Sequence, residues 1–237
     1  MPPPFPPVSP PPTNVTFPDP RRAGRAEVLA VGGDFRAGTM LTAYGHGIFP
    51  WPDSSGNVPW CSMRRRAVFP LDVEPRWSRS LRRTLRITPF SRTLDGAFRD
   101  VVEACGDERP DARWIIPPYV EGFARLHELG WAHSVEVWEE EDGERALVGG
   151  IYGIAIGGFF AGESMFHRRT DASKIAFATL VHALRASGFE LFDVQVMNPH
   201  LLSLGCVEVT RREYLDRLDR AVARGPVKLA LESPAHR

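Results

Sequence analysis

Two polar residues stand out by their surroundings. Residues 189–197 read Phe-Glu-Leu-Phe-Asp-Val-Gln-Val-Met, an apolar run of strand length. A side-chain period of two places Asp193 and Gln195 on one face, with Phe192, Val194 and Val196 on the other. A carboxylate and an amide inside such a strand are either satisfied by neighbouring backbone or retained for work in a cleft. Glu163, in Gly162-Glu163-Ser164-Met165-Phe166, is a third candidate, and by position alone it is equally a surface residue. Other chemistries find no carrier. The seven histidines show no HxxxH spacing, the three cysteines (Cys61, Cys105, Cys206) no CxxC, and GxSxG, Walker and GxGxxG patterns are absent. Gly32-Gly33-Asp34-Phe35 resembles a cyclase signature without the following Glu.

A second constellation is cationic. Between Arg64 and Arg92 there are nine arginines against two acids, Asp72 and Glu74. Residues 78–87 have helical character, and Arg79, Arg82, Arg83 and Arg86 fall at i, i+3, i+4 and i+7, on one face. Such a stripe is either a solvated helix face or a contact for a polyanion. Like charges at these spacings repel by a few tenths of a kcal/mol each, which a polyanion would relieve.

Elements able to position these groups follow from periodicity and punctuation. A short helix is expected at 39–45, then Gly47-Ile48-Phe49-Pro50-Trp51, a loop, and Val58-Pro59-Trp60. Helices are expected at 78–87, 94–105 and 118–129. Strands are expected at 133–138, 147–156 and 159–166, with an acidic loop at 139–144 and a tight turn at Gly157-Gly158. Residues 171–187 form the clearest helix, with Asp171 as N-cap, Phe177, Leu180, Val181 and Leu184 on one face, and Gly188 as stop. A short helical turn, a strand at 206–210 and an amphipathic helix from 212 to about 223 complete the chain. The order suits a mixed sheet of acyltransferase type. We expect a proline-rich, disordered tail over 1–13, at most a weak ligand for proline-reading partners, a small N-terminal α+β domain over 14–68, and a larger domain over 69–237.

Composition narrows the class. With 237 residues, 43% hydrophobic and 24% charged, the chain can bury a core. Lys+Arg 29 against Asp+Glu 29 excludes a uniformly basic coat but not a local patch. Only Lys174 and Lys228 are lysines, so 27 of the 29 cations are arginine, a bias that a GC-rich genome also produces. Ten of the 22 prolines fall in the first twenty residues, without the apolar h-region of a signal peptide. The uncharged run 146–162 holds six glycines and reads as strands rather than a membrane span. Three scattered cysteines fit a reducing cytosol. A soluble, cytoplasmic, monomeric protein without membrane contact is expected.

Ordered motifs along the chain carry a resemblance: Gly32-Gly33-Asp34, Ala43-Tyr44, Gly47-Ile48-Phe49-Pro50-Trp51, Ser78-Arg79-Ser80, Trp114-Ile115, Leu126-His127-Glu128-Leu129-Gly130, residues 132–138, Leu147-Val148-Gly149-Gly150, Gly162-Glu163-Ser164-Met165-Phe166, Ala172-Ser173-Lys174, Asp193-Val194-Gln195 and Ser203-Leu204-Gly205. From about Phe17 to Tyr214 the chain resembles the bacterial leucyl/phenylalanyl-tRNA–protein transferases. It departs at Trp60-Cys61-Ser62-Met63-Arg64-Arg65-Arg66, where the family has Trp-Ser-Pro-x-Pro-Arg, and at His167, where the family has Ser. The resemblance implies a small N-terminal domain and an acetyltransferase-like catalytic domain using neither coenzyme A nor metal. It implies transfer of Leu, Phe and sometimes Met from aminoacyl-tRNA to the N-terminal Arg or Lys of acceptor proteins, marking them for degradation by the N-degron route. By the same resemblance, Asp193 and Gln195 are the catalytic pair and Glu163 binds the acceptor cation. Trp51 and Trp114 are platforms for the terminal adenosine, and Ile151, Phe160, Phe177, Leu180 and Phe192 form the aminoacyl pocket. Arg79, Arg82, Arg83 and Arg86 would then hold the tRNA backbone. A coenzyme A-dependent N-acetyltransferase and a non-catalytic binding module are the competing readings.

Overall fold

The computed structural model describes residues 2–53, 57–108 and 114–231. A three-stranded antiparallel sheet in the order β1-β3-β2 is built from β1 (Val28–Val31), β2 (Phe49–Pro50) and β3 (Pro59–Cys61), with helix α1 (Ala37–Gly45) between the first two strands. The second sheet has seven strands. In chain order they are β4 (Arg65–Phe69), β5 (Ser91–Leu94), β6 (Ala132–Glu141), β7 (Glu144–Ile156), β8 (Phe159–His167), β9 (Leu191–Gln195) and β10 (Val207–Thr210). Their spatial order is β10-β4-β9-β8-β7-β6-β5, antiparallel throughout except for the β8–β9 pair. Helices α2 (Arg79–Ile87), α3 (Phe98–Asp107), α4 (Pro117–Glu128), α5 (Ala172–Ser187), α6 (Pro199–Ser203) and α7 (Arg211–Val222) complete the chain. The α+β class, with a small N-terminal layer and a mixed-sheet domain, is the one the sequence implies.

The large sheet separates two cores. On one face α5 lays Phe177, Leu180, Val181 and Leu184 against the strands, and α2 adds Leu81 beside Trp77. On the other, α3, α4 and α7 pack with α1 and the small sheet through Phe123, Tyr119, Trp60 and Leu218. Parallel strands need a crossover, and α5 supplies it between β8 and β9. Gly188 closes α5 at φ 81°, in the left-handed region that glycine enters without steric cost. Helix α7 starts from Thr210, whose hydroxyl accepts the Glu213 N–H, as the spacing Thr-x-x-Glu dictates.

Several expectations are corrected. The helix expected over 94–105 is strand β5 followed by α3, because Asp95-Gly96 breaks the pattern with Asp95 at φ 60°. The acidic loop is mostly strand, turning only at Asp142-Gly143. Asp171 precedes α5 but is left-handed (φ 65°) and does not cap it. Its carboxylate accepts instead from Lys174 Nζ at 2.7 Å and from Thr84 Oγ1. The boundary expected at 68/69 falls inside β4, so the large sheet begins four residues earlier. Residues 2–13, expected as a disordered tail, lie along the protein. The Val8 N–H donates to the Leu129 carbonyl at 2.8 Å, Trp131 Nε1 donates to the Val8 carbonyl, and Thr13 and Thr39 share a hydroxyl contact. Proline supplies no N–H donor, but its carbonyl and fixed φ suit an extended strap of this kind. Part of the loop expected between Trp51 and Val58 lies outside the described residues. Among those described, no helix is long and apolar enough to cross a membrane.

Gly47 links the two layers. It has φ +75°, and a Cβ there would stand 2.7 Å from Leu215 Cδ2 and 2.9 Å from Tyr214 Cε1 on α7. Gly47→Ala is expected to cost about 1–3 kcal/mol of unfolding free energy through backbone strain and overpacking. Denaturant melts check this, and an unchanged midpoint would show that the segment moves freely.

Candidate functional site

The parallel pairing of β8 with β9 is short, running from Phe159↔Leu191 to Ala161↔Asp193. Beyond it the strands part, and both are irregular at that level. The β7–β8 register skips Glu163, between Tyr152↔Ser164 and Gly153↔Gly162, and the β4–β9 register skips Val194, between Ala67↔Gln195 and Val68↔Asp193. An extra residue in a strand bends it and re-aims its side chains. The gap opens into a cavity of about 290 Å³, with Gly162, Glu163, Val194 and Gln195 on its walls.

Strict alternation therefore fails at the residues that matter. Gln195 has φ 63°, rare for a side-chain-bearing residue, and its N–H is held by Asp193 Oδ1 at 2.8 Å. Gln195 turns into the cavity with Val194, whereas Asp193 points the other way and is 0% exposed. Val196, expected with Phe192 and Val194, packs against the opposite core. Asp193 is thus not a cleft residue. Its Oδ1 accepts from Arg66 Nε (2.9 Å) and the Gln195 N–H, and its Oδ2 from Arg66 Nη2 (2.6 Å) and the Tyr214 hydroxyl (2.9 Å). Acceptors so occupied, and sealed from solvent, leave it to act through its neighbours.

Glu163 lies in the cleft. Its Oε2 accepts from the Tyr119 hydroxyl and its Oε1 from Gln195 Nε2, both at 2.8 Å, while the Tyr44 hydroxyl faces the same group without a well-formed hydrogen bond. Burial pushes the Glu163 carboxyl up to about 7, against the lowering effect of those donors. Burial, and then the Glu163 charge, raise Tyr44 and Tyr119 well above the ordinary phenol range, so they remain donors. A charged carboxylate can only accept, which fixes Nε2 of Gln195 toward it and leaves Oε1 to face outward.

The remaining predicted residues divide. Trp51, 41% exposed, Trp114, Ile151 and Phe177 line the cavity. Phe160, Leu180 and Phe192 do not. They are buried in the core between α5 and the sheet, with Phe192 against Phe177 at 5.4 Å, so the resemblance that placed them in the pocket picked residues behind the cavity wall. Met165, Leu201 and Phe49 line the cavity and were not foreseen, although Met165 sits in the quoted Glu163 motif. Arg79, Arg82, Arg83 and Arg86 are exposed on one face of α2, and none pairs with a carboxylate among the described residues. Ser78 caps that helix through the Leu81 N–H. No three His, Cys, Asp or Glu side chains converge as metal ligands among the described residues. Reading 64–92 as one basic stretch hid Arg66, which is 1% exposed. The apolar run Ala67-Val68-Phe69 directly after it marks a buried strand.

Comparison with known proteins gives a consistent result. The profile described as leucyl/phenylalanyl-tRNA protein transferase matches residues 68–219, and the profile for its N-terminal domain matches residues 33–63. The leucyl/phenylalanyl-tRNA–protein transferase of Syntrophobacter fumaroxidans is 48% identical over 206 residues, covering 85% of this chain and 86% of that one. The protein of the same name from Chlorobaculum parvum is 50% identical over 188 residues, covering 78% and 94%. The crystal structure of FemX superposes with a TM-score of 0.49 at 11% identity, over 72% of this chain and 65% of that one, a likeness of outline only.

The raised Glu163 carboxyl makes stability depend on pH. The folded protein keeps this proton from about pH 4.5 to about 7, where the unfolded chain has lost it. The stabilisation is therefore full below pH 4.5 and lost as pH rises through 7. Urea melts should show wild type losing on the order of 2 kcal/mol more than Glu163→Gln between pH 5 and 8. A difference independent of pH would place the carboxyl in the ordinary range.

Proposed function

We propose, from the premise that this chain belongs to the leucyl/phenylalanyl-tRNA protein transferase family, that its cleft joins an aminoacyl ester to the N-terminal Arg or Lys of an acceptor protein. Members of the family are aminoacyltransferases, and so is this chain. The observation that carries the site assignment is the Glu163–Gln195 contact at 2.8 Å between the parted strands. It sets a carboxylate for a cationic side chain beside an outward amide oxygen for an amine.

The chemistry is aminolysis. The α-amine nitrogen attacks the ester carbonyl, the bond to the ribose oxygen breaks, and one proton passes overall from nitrogen to that oxygen. An α-amino group titrates near 7.7–8.0, so roughly a tenth to a third is neutral around pH 7–7.5 and no strong base is required. Orientation supplies most of the acceleration. Gln195, a poor base, accepts the amine N–H through Oε1 and aims the lone pair. Asp193 acts indirectly, by holding the Gln195 backbone. Ile151, Met165, Phe177 and Leu201 offer an apolar floor for Leu, Phe or Met. Trp51 and Trp114, on the same cavity, would stack on the terminal adenosine, a contact worth about 1–3 kcal/mol per base. The α2 arginines would hold the acceptor stem through phosphates.

A coenzyme A enzyme fits less well. The chain entering α5 would have to cradle a diphosphate. Instead, Asp171 and Lys174 pair there, and Arg168 and Arg169 are tied to Glu108 and Glu139. As part of the same reading, we assign the acetyltransferase-like name to the large domain and a role in N-degron marking to the product.

Three outcomes test this reading. Incubation with Leu- or Phe-charged tRNA and an Arg-starting peptide, without acetyl-CoA, should yield the extended peptide; no product would remove the function. Gln195→Ala should slow single-turnover transfer roughly 10²-fold with substrate affinity little changed. The acceptor KM should fall as pH rises through about 7, as Glu163 gains its charge, and Glu163→Gln should abolish that dependence. A KM indifferent to pH in wild type would assign the acceptor cation elsewhere. Separately, Arg82→Glu with Arg83→Glu should weaken tRNA binding and reduce the slope of log K against log salt by roughly 1–2. An unchanged slope would leave the stripe without a role.

A further inference from the structure

Arg66 lies behind the cavity, in contact with Phe49 of its lining and with Asp193 beneath Gln195. It comes from β4, the strand adjoining β9, and its side chain is almost wholly withdrawn from solvent. One edge of the guanidinium forms a two-point fork with Asp193, Nε to Oδ1 at 2.9 Å and Nη2 to Oδ2 at 2.6 Å. The remaining nitrogen, Nη1, donates to the Gly47 carbonyl at 3.4 Å. Its flat faces are covered by aromatic rings, with Cζ 4.5 Å from the centroids of both Phe49 and Tyr214. One planar cation thus touches β9 through Asp193, the Gly47–Trp51 segment through Gly47 and Phe49, and α7 through Tyr214.

Those contacts lead to both sides of the reaction. Asp193 Oδ1, shared between Arg66 Nε and the Gln195 N–H, holds Gln195 in its left-handed conformation. Gly47 and Phe49 lead directly into Pro50 and Trp51 on the facing wall. We infer that Arg66 is a positioning residue for the transfer reaction, fixing through its fork with Asp193 the backbone conformation that presents the Gln195 amide oxygen, and setting its distance from the Trp51 wall. The inference rests on the transferase reading above. A charge-balancing role alone would be met by any cation opposite Asp193, or by neutralising both partners. A positioning role needs the fork, which lysine cannot make.

The experiment compares Arg66→Lys with a neutral pair, Arg66→Gln together with Asp193→Asn. The pair removes both buried charges at once, and so avoids the lone buried carboxylate that a single neutralisation leaves. Transfer is read in single turnover with Phe-tRNA and an Arg-starting peptide at saturation, and affinity is measured with a non-hydrolysable aminoacyl-tRNA amide. Both variants are expected to bind the amide within about threefold of wild type while transfer slows roughly 100-fold. A folded Arg66→Lys or neutral pair that transfers within about threefold of wild type overturns the inference, as does a rate loss matched by an equal loss of affinity. Failure of the neutral pair to fold overturns it too, because the pair would then be holding the fold together. Wild type serves as the control: absence of transfer by wild type itself would refute the transferase reading instead.

Discussion

The constraint on which the site depends is a short register. Strands β8 and β9 run side by side only from Phe159 and Leu191 to Ala161 and Asp193, and then part. Parallel strands joined by a helical crossover ordinarily lie buried on both faces and closed along their length. Here an irregular residue in each strand, Glu163 in one and Val194 in the other, ends the pairing at the same level. The sheet therefore opens in its middle rather than at an edge, with cores on both sides to keep the opening rigid. Trp51 reaches the mouth from the small sheet, Trp114 from the segment before α4, and Phe177 from α5. Three layers converge on a gap that only the central strands create.

Opening a sheet exposes groups that must then be satisfied, and the polar network around the gap does this in two shells. Outside, Tyr119 and Gln195 donate to Glu163 in a half-buried setting, where the cost of desolvating a carboxylate is only partly offset and its proton affinity rises. Inside, the Asp193 carboxylate has four close donors, and a fixed partner charge accompanies it into the interior. Burial alone would lower the Arg66 pKa; Asp193 beside it more than reverses this. The two carboxylates thus differ in kind. One is fully engaged inside the fold, whereas the other stands on the cavity wall with one donor on each oxygen. Gln195 is the bridge, bound by its backbone to the first and by its side chain to the second.

Much of this was legible in the sequence, and the misses have separate physical causes. Helices 78–87, 118–129 and 171–187 were readable from their helical pattern and, for the last, the Gly188 stop, and α2, α4 and α5 lie within a residue of those bounds. Gln195, Glu163, Trp51 and Trp114 were named and do share one cavity. What could not be read was direction after an irregularity. A period of two predicts facing only while the ladder is regular, and the bulges at Glu163 and Val194 shift every side chain beyond them. Hence Asp193 and Gln195, expected on one face, are parted, with Asp193 sealed and Gln195 on the cavity. Phe160, Leu180 and Phe192 were placed in the pocket by the resemblance alone and are core. Arg66 was lost for another reason. Among nine neighbouring arginines, composition cannot single out the one that a following apolar strand draws inside.

Charge shows the same contrast between total and arrangement. The chain carries as many acids as bases, yet its exposed charges are not evenly mixed. Arg99, Arg168, Arg169, Arg185 and Arg224 each meet a carboxylate within 3 Å, so their fields largely cancel at contact range. The four arginines of α2 meet none among the described residues. At physiological ionic strength a surface charge is screened over about 8 Å, so what a phosphate near α2 feels is that helix and not the protein's net charge. Leu81, beneath the stripe, packs into the core shared with α5, so the stripe stands on a fixed support. A neutral protein can therefore carry a local concentration of unpaired positive charge on one helix.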